Sequence, residues 1–376
     1  VLDLMRASVD IIIVNWNAGQ QLRECLESIL AVDTRGININ NVLVIDNASS
    51  DGSFDALEDL ILPSRNENNR GFTFACKQGD NNNRVIVTDN TLEEAATKRT
   101  KRSEDVVLSL TLIRNNINRG FAAACNQGAA ESKADYLLFL NPDTRLFENS
   151  LTVPVAFMER PENQHIGIVG IQLVDDYGQI SRTCARFPQP GHFFSKMLGL
   201  DRLFPRVFPS HFMNEWDHSD SRMVDQVMGA FFLVRRHLFE MLNGFDERFF
   251  VYFEEVDFSL RARQLGWSSF YLAEAQAYHK GGGTSKQIKA KRLFYSLRSR
   301  ILYGYKHFSW TAATLLMLGT LVLEPIARVV LGIAHRSGSE IVETFRAYRM
   351  LWSSMPEWMK VARGGERHKS SDVDSL

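Results

Sequence analysis

Cysteine is scarce in this chain of 376 residues: Cys25, Cys76, Cys125 and Cys184 are scattered and form no Cys-x-x-Cys pair. That argues against a disulfide framework and against a zinc centre, and it predicts reduced, partly buried thiols of a cytosolic protein. An excess of one charge is missing too. With 43 Lys and Arg against 44 Asp and Glu the formal net charge is -1, which provides no electrostatic footprint for nucleic acid. No charged segment followed by a long apolar run opens the sequence, so no secretory signal is expected. The chain starts on Val1, which leaves room for an upstream segment. Crossing a bilayer takes roughly 20 consecutive apolar residues. The stretch from Trp310 to Leu323 is almost wholly apolar, but Glu324, Pro325 and Arg328 interrupt it before Val329 to Ala334. The interruption predicts a helical hairpin or an interfacial anchor, with a packing helix of a soluble domain or dimer as the alternative.

What is present is an alternation of strands and helices. Val9 to Val14 is a short apolar run suited to a buried parallel strand, and Asn15-Trp16-Asn17-Ala18-Gly19 is its turn. Leu22, Cys25, Leu26, Ile29 and Leu30 recur at helical spacing, and Asn41 to Ile45 is the next strand, ending on Asp46. Strand, helix and strand make a βαβ unit, so the fold class is α/β. In open α/β sheets ligands lie beyond the carboxyl ends of the strands, which puts Asn15, Trp16, Asn17 and Asp46 at a ligand rim. Asp135 to Leu140 and residues 167–174 and 180–184 read as further strands, 188–222 as a long loop or short helices, and Trp267 to Tyr271 and Ala275 to His279 as two short strands. Helical periodicity resumes near Ile288, and Gly364 to Leu376 is a polar tail expected to be disordered.

An internal echo stands out. Asn69-Arg70-Gly71-Phe72-Thr73-Phe74-Ala75-Cys76-Lys77-Gln78-Gly79 is answered by Asn118-Arg119-Gly120-Phe121-Ala122-Ala123-Ala124-Cys125-Asn126-Gln127-Gly128. Two copies do not make a solenoid. The stretch between them, with Asp80-Asn81-Asn82-Asn83, Val85 to Val87 and the basic Lys98-Arg99-Thr100-Lys101-Arg102, reads as an inserted surface excursion.

Acidic landmarks carry the chemistry. Glu254-Glu255-Val256-Asp257 sets three carboxylates together before an amphipathic run. Such a cluster can hold a general base, although acidic residues also start helices for electrostatic reasons alone. Asn141-Pro142-Asp143 follows a strand, where a carboxylate can bind a hard divalent cation together with a diphosphate; the same tripeptide is also ordinary turn chemistry. Asp46-Asn47-Ala48-Ser49-Ser50-Asp51-Gly52 is either a ligand loop or an Asx-type cap. His279 precedes Lys280-Gly281-Gly282-Gly283, whose glycines let backbone approach a phosphate.

Taken in order, Val14-Asn15-Trp16-Asn17, Ile45-Asp46-Asn47-Ala48-Ser49-Ser50-Asp51-Gly52-Ser53, Asn118-Arg119-Gly120-Phe121-Ala122, Leu140-Asn141-Pro142-Asp143-Thr144 and Gly244-Phe245-Asp246-Glu247-Arg248-Phe249-Phe250 resemble glycosyltransferase family 2, in its rhamnosyltransferase-like branch, over about residues 8 to 305. The resemblance implies a GT-A fold, a Rossmann-like mixed, mostly parallel sheet flanked by helices. It divides the chain into a GT-A domain at 1–290 with an inserted excursion at about 64–112, a C-terminal helical, membrane-associating region at 291–350 and a polar tail at 351–376. It implies inverting transfer from a dTDP- or UDP-sugar to a hydroxyl of a saccharide acceptor, typically lipid-linked, in cell-surface polysaccharide synthesis. Asp46 would contact the pyrimidine or ribose, Asn15 and Asn17 would line that pocket, and Asn118, Arg119, Gly120 and Asn141 would lie beside the nucleotide. Asp143, with His279, would hold Mg²⁺ or Mn²⁺ on the diphosphate. Glu255 would be the base, with Glu254 and Asp257 supporting it.

Three departures from the family pattern matter. Glu255 replaces the commoner Asp, which adds a methylene and moves the base by about 1 Å. Asn141 stands where a full metal motif has its first carboxylate. The duplicated Asn-Arg-Gly-Phe segment is not a family feature. The resemblance places the protein in the cytoplasm, peripheral on the inner face of the membrane, and leaves a homo-oligomer open. A non-catalytic nucleotide-sugar-binding or assembly protein on the same fold is the alternative. A nucleotidyltransferase would need a Gly-rich basic phosphate loop after the first strand, which Asn15-Trp16-Asn17-Ala18-Gly19 does not supply.

Overall fold

The computed structural model describes residues 6–54, 57, 71–78, 107–281 and 289–362. The Val85 to Val87 run, the Lys98 to Arg102 run, Gly282-Gly283 and Gly364 to Leu376 lie outside the described residues, whereas Met355–Ala362, within the expected polar tail, is a helix with Trp358 fully buried.

The first βαβ unit forms as the apolar runs require. Strand β1 (Ala7–Asn15) pairs in parallel with β2 (Ile37–Asp46), and helix α1 (Gln20–Leu30) connects them. The residues of β1 alternate between two cores. Val9, Ile11 and Ile13 face Leu22, Leu26 and Ile29 of α1, while Ile12 and Val14 face the opposite layer. Both faces are covered, so the strand reads as one continuous apolar run rather than an alternation.

The next strands are β3 (Gly71–Gln78), β4 (Val107–Arg114), β5 (Tyr136–Leu140), β6 (Thr144–Leu146) and β7 (Ile166–Val174), followed by β8 (Cys184–Ala185), β9 (Arg222–Val224), β10 (Gln226–Val227), β11 (Phe231–Arg235) and β12 (Ser268–His279). The main sheet runs β3-β4-β2-β1-β5-β11-β7-β12-β6, with β9 added beside β12. Pairing is parallel from β3 through β5, antiparallel on either side of β11, and parallel again between β7 and β12. This is the mixed, mostly parallel sheet of the GT-A fold, flanked by helices. Helix α2 (Phe121–Ala130) covers the face opposite α1, and Gly128 lets it approach the sheet: a Cβ there would meet Ile12 and Ile45 at 2.7 Å.

Four features depart from the sequence expectations or add to them. The two copies of the echo adopt different structures: Gly71–Gln78 is the edge strand β3, whereas Phe121–Ala130 is a helix. Thr73 and Phe74 in the first copy favour extended backbone, and Ala122, Ala123 and Ala124 in the second favour helix. The two expected strands at Trp267 to Tyr271 and Ala275 to His279 are one, Ser268–His279, because β12 keeps its pairing with β7 across an irregularity between Leu272 and Gln276. Little of 180–184 is strand: Ile180 bridges Val174, and only Cys184–Ala185 pairs, with β10. Residues 188–222 hold the short helices α3 (Pro190–Met197) and α4 (Leu200–Leu203).

The fourth change concerns the apolar stretch near the C-terminus. Pro325 does not break it. Helix α5 (Trp310–Leu318) passes through a π turn (Gly319–Leu323) into α6 (Glu324–Ala334), one helix long and apolar enough to cross a membrane. The π turn resets the hydrogen-bond register just before Pro325, so its missing N–H falls at the start of the following segment, where it is tolerated. This helix packs between α7 (Lys289–His307) and α8 (Gly338–Ser353). Phe249 and Val256 from the sheet domain share a core with Leu302, Tyr303 and Leu316, which fixes the C-terminal helices to the rim of the domain.

Candidate active site

The carboxyl ends of β1 and β2 are stitched into one polar cradle. Asn15, fully buried, points its Nδ2 at Asp46 Oδ1 (2.9 Å), Ser49 Oγ (3.1 Å) and Ser53 Oγ (3.0 Å). Its Oδ1 has no partner among the described residues. Asp46 is buried, accepts from the Ser49 N–H at 3.3 Å, and lies 3.9 Å from Arg114 Nε. Asn17 adopts a left-handed backbone at φ 52° and accepts the Ser50 N–H at 2.7 Å, which closes the loop over the strand ends.

Asn47 joins this cradle to the second echo copy. Its Nδ2 donates to Asn118 Oδ1 at 2.8 Å and to the Gly120 carbonyl at 3.2 Å, and its Oδ1 accepts the Arg119 N–H at 2.9 Å. Sequence reasoning did not assign Asn47 a role, although it sits inside the loop that drew attention to Asp46. Gly120 is required by geometry: φ is +86°, and a Cβ would lie 2.6 Å from the Phe250 carbonyl. That carbonyl accepts the Phe121 N–H at 2.6 Å, which binds the Asn118–Gly120 loop to the segment leading into the acidic cluster.

The turn after β5 is held from two sides. Asn141 N–H donates to the Ala230 carbonyl at 3.1 Å, and Thr144 Oγ1 reaches the same carbonyl at 3.3 Å. Asp143 Oδ1 lies 3.3 Å from His279 Nε2, because β12 pairs His279 opposite Thr144. Both side chains are nearly buried. Among the described residues no group of three or more His, Cys, Asp or Glu side chains converges as a metal cage. The expected metal pair, Asp143 and His279, therefore supplies one hard carboxylate and one imidazole nitrogen and would need a ligand's oxygens to complete a coordination sphere.

Next to Ala230, Gly229 lies against the Glu255 carboxylate, and its N–H favours the ionised form. Adjacent residues thus brace the Asn141–Asp143 turn and the acidic cluster. Glu254 and Glu255 open helix α9 (Glu254–Gln264), after two consecutive non-glycine residues in left-handed backbone, Tyr252 (φ 68°) and Phe253 (φ 72°). Such strain persists only where the surroundings enforce it, and it clusters at functional sites. Glu254 and Glu255 each leave Oε2 buried without a partner among the described residues. Burial pushes the Glu254 carboxyl well above the usual range, and the neighbouring Glu255 adds to this. Burial raises Glu255 as well, but the backbone N–H groups of Glu255, Gly229 and Val256 oppose it. Glu255 is therefore the member that ionises more readily, and two carboxyls so close share their charge.

Asp257 differs. It is fully buried, and its carboxylate binds Arg261 (2.8 Å), His307 (2.7 Å) and Lys306 (2.6 Å). Burial acts to raise it, but the His307 hydrogen bond and the charges of Arg261 and Lys306 win and hold it below the usual range. Its oxygens are committed to anchoring α9 on α7. The thiols of Cys25, Cys125 and Cys184 are free and buried, and burial pushes all three up, Cys184 to about 12.

The family model for glycosyl transferase family 2 matches residues 10–82 and 72–213. The chain belongs to that family. Family membership covers both copies of the echo, since the two matched spans overlap across the first. The chain is 26% identical over 188 residues to the N-acetylglucosaminyl-diphospho-decaprenol L-rhamnosyltransferase of Mycobacterium tuberculosis, covering 48% of this chain and 59% of the relative. To the rhamnosyltransferase WbbL of Escherichia coli it is 28% identical over 172 residues, covering 45% and 61%. The matches thus span about three fifths of these relatives. Among solved structures, a Pyrobaculum calidifontis mannosyltransferase in complex with GDP-Man and Mn²⁺ superposes loosely, at TM-score 0.46 and 17% identity over 96% of this chain and 87% of that one.

Proposed function

We propose that this protein is an inverting glycosyltransferase that moves rhamnose or a related sugar from a dTDP- or UDP-linked donor to a hydroxyl of a saccharide acceptor. The acceptor is lipid-linked, and the reaction belongs to cell-surface polysaccharide synthesis at the inner face of the cytoplasmic membrane. Likeness to the two rhamnosyltransferases supports the sugar class, and the diphospho-decaprenol acceptor for which the Mycobacterium tuberculosis relative is named supports a lipid-linked acceptor.

The observation that carries the catalytic reading is the Glu255 carboxyl. The residue is part-buried, its Oε2 is shut from solvent without a partner among the described residues, and it lies against Gly229, next to the Ala230 carbonyl that holds the Asn141–Asp143 turn. Glu255 takes the proton of the acceptor hydroxyl as that oxygen forms its bond to C1 of the sugar. The C1–oxygen bond to the diphosphate breaks with its electron pair leaving on the diphosphate. Glu254, kept protonated by burial and by its neighbour, limits charge beside the base. Asn15, Asn17 and Asp46 form the nucleoside cradle, and Asn118, Arg119 and Gly120 its second wall, fixed through Asn47; Asn141 lies beside the nucleotide. A Mg²⁺ or Mn²⁺ ion held by Asp143 and His279 would neutralise charge developing on the departing diphosphate. In this reading residues 1–290 are the catalytic domain and 291–350 the helical, membrane-associating part.

The test is nucleoside-diphosphate release from dTDP-rhamnose and UDP-sugars in the presence of lipid-linked saccharide acceptors. Acceptor-dependent release supports the transferase. Tight nucleotide binding with no release from any donor would make the protein a non-catalytic binder.

A further inference from the structure

The helix Trp310–Ala334 carries a row of apolar side chains with little protein over it. Leu315, Leu318, Val322, Ile326, Val330 and Ile333 recur at helical spacing and are each 49–64% exposed. The opposite side of the helix is pinned along its length. A Cβ at Gly319 would come within 3.2 Å of Phe194 and Met197, and one at Gly332 within 2.6 Å of Ile341. Between them Glu324 is buried in ion pairs with Arg300 and Arg328, the latter at 2.8 Å. A helix bound lengthwise to the body of the protein by a mid-helix ion pair lies along a surface rather than across a bilayer.

Two neighbours extend the apolar face. Helix α8 packs against α6 and exposes Val342, Phe345 and Trp352 at helical spacing. The segment from Arg202 to Pro209 exposes Leu203, Phe204, Val207 and Phe208, and it follows α3, which packs on the π turn. Scattered exposed leucines are ordinary, but three adjoining elements that each expose large apolar side chains mark an interaction surface. Charge decides the partner. Between Trp310 and Arg336 the sole acidic residue is the buried Glu324; over the three elements the exposed Arg202, Arg206, Arg336 and Arg349 outnumber the exposed Glu340, and Glu343 is paired with Arg346. Apolar rows with basic residues among them are the composition of helices that lie in the headgroup region of anionic membranes.

We propose that this face docks the protein onto the surface of an anionic lipid bilayer, with the apolar rows at the acyl boundary and the arginines on lipid phosphates. This rests on the reading of the protein as membrane-attached and names the surface that attaches it. The experiment is flotation of the full chain with phosphatidylcholine vesicles, with and without phosphatidylglycerol. Wild type is expected to float with the anionic vesicles and to be released by salt. Leu318→Glu, Ile326→Glu and Val330→Glu combined should weaken flotation on the order of tenfold or more. Arg202→Gln with Arg206→Gln should weaken it about fivefold per arginine, on anionic vesicles only. Both variants should keep wild-type dTDP and UDP affinity, which shows that they fold. Wild type that binds nucleotide but neither vesicle overturns the docking surface and leaves the transferase standing; flotation without turnover does the reverse. A triple variant that floats like wild type also overturns it, as does a wild-type dimer that the triple variant splits without any vesicle binding, since a second copy then covers the face.

Discussion

Within one turn of α9, Glu254 and Glu255 on one side and Asp257 on the other experience opposite environments. Glu254 is buried and Glu255 part-buried, each with an unpartnered oxygen and raised affinity for protons, whereas Asp257 is buried against Arg261, Lys306 and the His307 ring and holds its charge. Sequence spacing presents them as one acidic cluster. The structure separates a pair with unpartnered oxygens from an ion-paired anchor, and the separator is α7, which brings Lys306 and His307 to Asp257 alone among the three. Proximity in sequence therefore says little about role. What counts is which neighbouring element supplies counter-charge.

That contrast can be broken most severely at the anchor. Asp257→Ala leaves Lys306, Arg261 and His307 without their buried carboxylate and should cost about 3 kcal/mol or more in chemical denaturation. Because the folded Asp257 carboxyl is depressed, its contribution is present above the unfolded value and is lost as pH falls through the folded one. The variant's stability should therefore respond less to acid than that of wild type. A stability change below about 1 kcal/mol would remove the anchor role.

Glu255→Gln tests the reactive side. Turnover should fall roughly 10²-fold or more, with nucleotide affinity and melting temperature little changed. Wild-type turnover in this variant would move the base role to Glu254. Gly120→Ala strikes between the two, since its Cβ collides with the Phe250 carbonyl ahead of Glu254 and its φ is unfavourable for alanine. It should cost about 1–3 kcal/mol of stability and raise the donor KM, while the pairing of Asp257 with Arg261 and Lys306 persists. Glu254→Gln should have the smallest effect, and one that depends on pH. A carboxyl raised in the folded state stabilises fully below its unfolded value, and that contribution is lost as pH rises through the folded one. The variant should therefore match wild type near pH 4 and melt higher at neutral to alkaline pH; parallel melting curves at all pH values would contradict the shared charge.

Much of this arrangement was legible in the sequence. Val9 to Val14 and Asp135 to Leu140 stand out as short apolar runs and Leu22 to Leu30 by helical periodicity, and the strand ends deliver Asn15, Asp46 and Asp143 where the α/β rule puts them. What stayed hidden depends on long-range partners. Asn47 acquires its bridging role only once Asn118 and Gly120 fold beside it. The two copies of Gly-Phe-x-x-Ala-Cys-x-Gln differ in structure because one meets the free edge of β4 and the other covers the sheet. Pro325 looked like a helix breaker because the π turn before it leaves no mark in local sequence.

The measurement that bears most directly on the central claim is calorimetric titration of dTDP and UDP, each with Mn²⁺, into wild type, Asp143→Ala and Glu255→Gln. The account predicts metal-dependent binding of one nucleotide to wild type, the same affinity in Glu255→Gln, and loss of the metal dependence in Asp143→Ala. Equal metal-dependent affinity in all three proteins, or no binding of either nucleotide to wild type, would contradict it.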